Sequence, residues 1–164
     1  MKHTKLIVMS AVFAAMVASL TFFPKIPAGM GYIHLGDSIV FLAACILPLP
    51  YALCAAAVGG ALADLLSGYA QWIVPTLVIK ALITLTFWGK SAGILTRRKV
   101  LALVPAGLIT VVGYSAACWY MYGWAAAIAG VGENMIQVIG SSAAFIAIAA
   151  GLDKVKFKQR ILKG

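Results

Sequence analysis

The polar side chains of this sequence are few enough to be weighed one at a time. Its four side-chain carboxylates are Asp37, Asp64, Glu133 and Asp153, and Lys80 stands alone inside an apolar stretch. An ionisable group at membrane depth is costly unless it is paired or faces a polar cavity, so Lys80 is the strongest single signal of function. It lies roughly 12 Å along a helix from Trp72, at about 1.5 Å per residue. An ion pair with Asp64 and a ligand-facing role both suit it, and the two can hold together. Asp37 and Glu133 are each expected at a helix N-terminus, where a carboxylate meets the helix dipole favourably; for Glu133 capping is the preferred role. Asn134 and Gln137 are three apart and share one helical face. Amides so placed can read the donors and acceptors of a heterocycle, or bridge helices.

Aromatic residues surround these groups in sequence. Tyr69, Trp72, Tyr114, Trp119 and Tyr120 could stack on a flat ligand, whereas Tyr122 and Trp124 suit anchoring at a membrane interface. His34 adds an imidazole just before Asp37. No HExxH, paired-histidine or clustered-cysteine pattern occurs, and there is no GxxxxGK[ST] loop, so neither a metal site, a cofactor nor ATP hydrolysis by the P-loop route is expected. Cys45, Cys54 and Cys118 all fall in apolar runs without CxxC spacing and read as small buried hydrophobes.

These residues must be held by membrane helices. Of the 164 residues 63% are hydrophobic and 10% charged, with a mean hydropathy of +1.02, against about 45–50% and about 25% in soluble domains. A conventional soluble enzyme and a disordered chain are both excluded. The net charge of +9 is no nucleic-acid footprint, because 11 of the 13 cations lie in three clusters flanking apolar runs: Lys2 and Lys5; Lys90 and Arg97 to Lys99; and Lys154 to Lys163. That is the positive-inside pattern. If all three face the cytoplasm, an even number of spans separates neighbours. The run Ser38–Ala63 must then be two spans joined at Leu47-Pro48-Leu49-Pro50, where proline stops a helix. The expected fold is an all-α integral membrane protein, one domain over residues 1–164, with six transmembrane helices at about 5–23, 35–48, 51–67, 72–89, 100–120 and 134–152. Both termini are cytoplasmic, and outer loops fall at about 24–34, 68–71 and 121–133. Helices two and three are short for a full crossing. The apolar run Leu6–Pro24 lacks a small-residue cleavage site and reads as a retained span rather than a signal peptide.

The stretch Gly31-Tyr-Ile-His-Leu-Gly-Asp37, then Phe41-Leu-Ala-Ala, Ala61-Leu-Ala-Asp-Leu-Leu-Ser-Gly-Tyr69 and Thr76-Leu-Val-Ile-Lys80 resembles the substrate-binding (S) components of energy-coupling-factor (ECF) vitamin transporters, in the riboflavin-component-like branch. Asn134-Met-Ile-Gln137 is similar to the segment opening their last helix. The resemblance runs from Ala11 to about Gly151 and implies an S-component bundle in the bacterial plasma membrane. It also implies a vitamin or precursor bound near the outer surface, loop one covering the pocket, and helices four to six forming much of its wall. Uptake would be driven by a membrane coupling subunit and two ATPases. Helix one in these proteins carries an AxxxA motif that packs on the coupling subunit; Ala11 and Ala15 match it, with Ala14 and Ala18 as a second register.

The candidate ligand-facing set is thus His34, Asp37, Asp64, Tyr69, Trp72, Lys80, Tyr114, Trp119, Asn134 and Gln137. It suits a small polar heterocycle such as hydroxymethylpyrimidine, pyridoxine or a riboflavin-like ring. Two other readings stay open: a stand-alone proton- or ion-coupled carrier with Asp64 and Lys80 as relay, and a membrane scaffold without a ligand.

Overall fold

The computed structural model describes residues 3–23, 26–28, 31–89, 91 and 93–163. Lys2 and Lys90 of the basic clusters lie outside them. Helices α1 (His3–Phe22), α2 (Gly36–Ile46), α3 (Leu49–Leu66), α4 (Ile73–Thr86), α5 (Arg97–Tyr122) and α6 (Trp124–Lys154) form the body, with a 3₁₀ turn at Ala70–Trp72 and a short helix α7 (Phe157–Lys163). Strands β1 (Ile26–Ala28) and β2 (Gly31–Ile33) pair antiparallel, Ile26 opposite Ile33. Strands were not expected in that connection.

By length and composition α1, α3, α5 and α6 can each cross a membrane, while α2 and the 70–86 segment are shorter apolar helices. The short elements are therefore two and four, not two and three. The proline-marked turn is present: Pro48 caps α3 in extended conformation and a second proline lies in its first turn. The expected outer loop at 121–133 is absent. Only Gly123, at φ +89°, separates α5 from α6. The alanine-rich stretch after it is a strong helix former, and no charge or proline interrupts it before Glu133.

Beyond Asp37 and Ser38 in its first turn, helix α2 is apolar all round, as befits an element sheathed by others. All its residues except Ala44 are buried, and it packs on α1, α3, α4 and α6. Phe41 stacks on Phe87 at 4.9 Å between ring centroids, and Phe145 meets both edge-on at 5.7 Å. Small residues bring the other helices close. A Cβ on Gly59 of α3 would lie 2.6 Å from the Ala14 carbonyl of α1, and one on Gly60 would lie 2.7 Å from Thr76 Cγ2 and 3.2 Å from Lys80 Cγ. Gly60 thus makes room for the lysine stem.

One end of the bundle gathers the basic segments. Lys5 donates to the Ile161 carbonyl at 2.8 Å, and Lys158 to that of Ser91 at 2.8 Å. Asp153 accepts from the backbone N–H groups of Ile94 and Leu95 at 2.8 and 2.7 Å. Lys99 caps the end of α4 through the Phe87 carbonyl. The α2–α3 turn lies at this end too, since Tyr51 bonds to His3 at 2.8 Å and accepts from Ser10 at 2.8 Å.

Candidate functional site

At the opposite end, the β-hairpin, the C-terminal end of α3, the starts of α4 and α6 and the last turns of α5 enclose a cavity of ≈ 70 Å³. That is room for several waters. Asp64, Trp72, Tyr114, Asn134, Gln137 and His34 line it. Lys80 and Asp37 do not. They form a buried ion pair one layer deeper, and Gln137 donates to the second oxygen of Asp37 at 3.0 Å.

The anticipated Lys80–Asp64 pair is therefore corrected. Asp37 enters in the first turn of α2, the central helix, and so meets Lys80 directly. Asp64 instead accepts from the Tyr32 hydroxyl of β2 at 2.8 Å. The Lys80 ammonium also lies 5.8 Å from the centre of the Tyr114 ring. Tyr114 donates to Thr76 at 3.4 Å, and Gln137, which also lines the cavity, links the wall to the deep pair.

Other placements differ as well. Glu133 and Asn134 do not open a helix: α6 begins at Trp124, and both residues project from its third turn onto the cavity wall. Glu133 therefore caps nothing. Tyr69 packs behind Tyr32 at 5.2 Å rather than on the cavity. Trp119 is 58% exposed and meets Trp124 edge-on at 6.1 Å, on the outer surface of the α5–α6 pair. Tyr120 is exposed, in keeping with anchoring.

Thr76, Ser115 and Cys118 on the wall were missed. Spacing could have found two of them, since Thr76 is four residues before Lys80 and Cys118 four after Tyr114, on shared helix faces. Tyr32 belongs to the hairpin, whose strands are too short to leave a periodic pattern. His34 is buried, and its Nδ1 accepts the Gly36 N–H at 3.1 Å, which requires the neutral ring. Burial, then the Lys80 ammonium, lowers its pKa to about 3. Burial and neighbouring Asp64 push the Tyr32 phenol up, so it stays a donor.

Three of the six buried side-chain polar atoms without a partner among the described residues belong to residues of this cavity. Asp64 Oδ2, Trp72 Nε1 and Ser115 Oγ are all buried without a hydrogen-bond partner, and all three residues line it. An unmet buried polar atom costs roughly 1–3 kcal/mol. Three on one small cavity describe a site that a polar molecule completes.

A helical bundle with a polar, incompletely bonded cavity at one end is an architecture that can bind a small molecule. The chain belongs to the family of S components of ECF-type riboflavin transporters, whose family model matches residues 1–154. It is 32% identical over 137 residues to an uncharacterised protein of the gap 3′ region of Pyrococcus woesei, covering 83% of this chain and 88% of that one. Its fold is similar to the solved S component of a bacterial ECF transporter, with a TM-score of 0.76 at 19% identity, over 94% of this chain and 98% of that one. The protein is accordingly a non-enzymatic substrate-binding subunit of an ECF transporter.

Proposed function

We propose that this chain captures a small polar heterocyclic vitamin or vitamin precursor outside the bacterial plasma membrane and delivers it inward, together with a membrane coupling subunit and two ATPases. Six transmembrane helices carry the site, with both termini cytoplasmic. Hydroxymethylpyrimidine, pyridoxine and riboflavin-like rings are ligands of this kind. The observation that carries the reading is the cavity under the hairpin, with Asp64 Oδ2, Trp72 Nε1 and Ser115 Oγ unmet on its wall. The gathering of the basic segments at the opposite end supports the orientation, because that end is the cytoplasmic one by the positive-inside rule. A stand-alone carrier relaying through Asp64 and Lys80 is less well served, since Lys80 is committed to Asp37.

The partner surface is assigned to the outer face of α1. Ala11 and Ala15 are exposed, whereas Ala14 and Ala18 of the second register are buried within the bundle. Small side chains on an exposed helix face permit close approach of another helix. Native mass spectrometry of freshly purified protein tests the proposal, because a retained ligand is weighed directly. A heterocyclic vitamin or precursor in the expected mass range, together with co-purifying ATPases, supports it. Uptake into liposomes by this chain alone would favour a stand-alone carrier instead.

A further inference from the structure

The charge of the cavity wall narrows the ligand. Among the described residues its lining holds two carboxylates, Asp64 and Glu133, and no lysine or arginine. Lys80, the nearest buried cation, is paired with Asp37 and does not line the cavity. His34 is neutral, with Nδ1 taken by the Gly36 N–H. Asp64 is 5% exposed, one oxygen holds the Tyr32 hydroxyl, the Thr76 hydroxyl lies beside the carboxylate, and Oδ2 makes no hydrogen bond. A buried carboxylate oxygen accepts; it can be satisfied by an N–H or O–H donor, best of all by a cationic one. An anionic group placed here would meet two carboxylates and no cation on the wall itself, an arrangement that costs about a hundredfold or more in affinity.

Resting on the binding reading above, the geometry points to a ligand that presents an amino, amidine-like or ammonium group to Asp64 Oδ2, with no carboxylate or phosphate inside the cavity. Glu133, half-buried on the facing helix, serves a second donor or the positive charge of the ring. Trp72 Nε1 and Ser115 Oγ remain to read an acceptor on the same molecule.

The test is a set of matched probes on the purified full chain, with binding read by calorimetry. Pyridoxamine is set against 4-pyridoxic acid, which shares its ring but carries a carboxylate. A 4-amino-5-hydroxymethylpyrimidine is set against its 4-hydroxy counterpart. The amino probe of at least one pair should bind at least about tenfold more tightly than its partner. Asp64→Asn should cut that binding by about tenfold to hundredfold, the range of a lost charge-assisted hydrogen bond. Glu133→Gln, on a half-exposed position less able to unfold the chain, should weaken the amino probe while leaving the melting temperature in place. Equal or tighter binding of the acidic and hydroxyl probes in both pairs overturns the inference and leaves the binding reading intact, as does unchanged binding by a folded Asp64→Asn and by Glu133→Gln together. Binding of no probe, with no ligand retained on purification, overturns both.

Discussion

Lys80 is held in place by a geometry that sets what its removal does. A buried ion pair is a weak source of net stability, but breaking one by truncating a single partner leaves a bare charge and costs about 3–5 kcal/mol. Lys80→Met should therefore strand Asp37, and the protein should melt far lower in detergent. Lys80→Met combined with Asp37→Leu should regain much of that loss, because neither charge is then orphaned. A double mutant no more stable than the single one would refute the pairing. His34 gives a second prediction. Its folded pKa, about 3, lies below its ordinary 6.5, so the folded state binds fewer protons than the unfolded one. The stabilisation is complete above pH 6.5 and is lost as pH falls from there toward 3, by up to about tenfold in the folding equilibrium per pH unit. Melting temperature against pH should show this slope in the native chain and a smaller one in His34→Gln. At this scale the sequence was legible in identity but not in partnership. Lys80, Asp37, Asp64 and Gln137 stood out because polar groups are rare here. Which carboxylate meets the lysine depended on where the α2 axis falls, and no spacing along one strand of sequence encodes that.

The helices were easier to read than their connections. Long apolar runs and the Leu-Pro-Leu-Pro turn located the six body helices, four of which are long and apolar enough to cross a membrane, because a helix satisfies its backbone internally and proline cannot. The start of α6 was misplaced by a loop that does not exist, since a single glycine does the turning that a polar segment usually does. The same reading bears on α1, whose two small-residue registers are now distinguished by exposure. Ala11→Trp with Ala15→Trp should leave ligand binding in detergent unchanged and abolish both co-purification with a coupling subunit and energised uptake. Ala14→Trp should instead unfold the chain, because its face abuts Gly59 at backbone contact. If the exposed pair transports normally, the docking surface lies on another helix.

For the whole molecule, the orientation can be tested with single cysteines in a background lacking Cys45, Cys54 and Cys118. Ala28→Cys on β1 should react with an impermeant thiol reagent applied to intact cells. Arg98→Cys and Gln159→Cys should be protected until the membrane is opened. Labelling of position 98 from outside would reverse the proposed orientation and place the hairpin cavity on the cytoplasmic side.

Helix α2 has 11 residues and α4 has 14, about 16 and 21 Å of rise against a hydrocarbon layer about 30 Å thick. Helix α2 is sheathed by its neighbours, so α4, with Val74, Val78, Leu82 and Leu85 exposed, is the short element that would meet lipid. Bilayers meet such a mismatch by pinching or by tilting the guest, at a fraction of a kcal/mol per Å. Acyl-chain length then becomes a control on the transporter: vesicles of short-chain phosphatidylcholine should relax that pinch and change the rate of uptake, while the affinity measured in detergent stays the same.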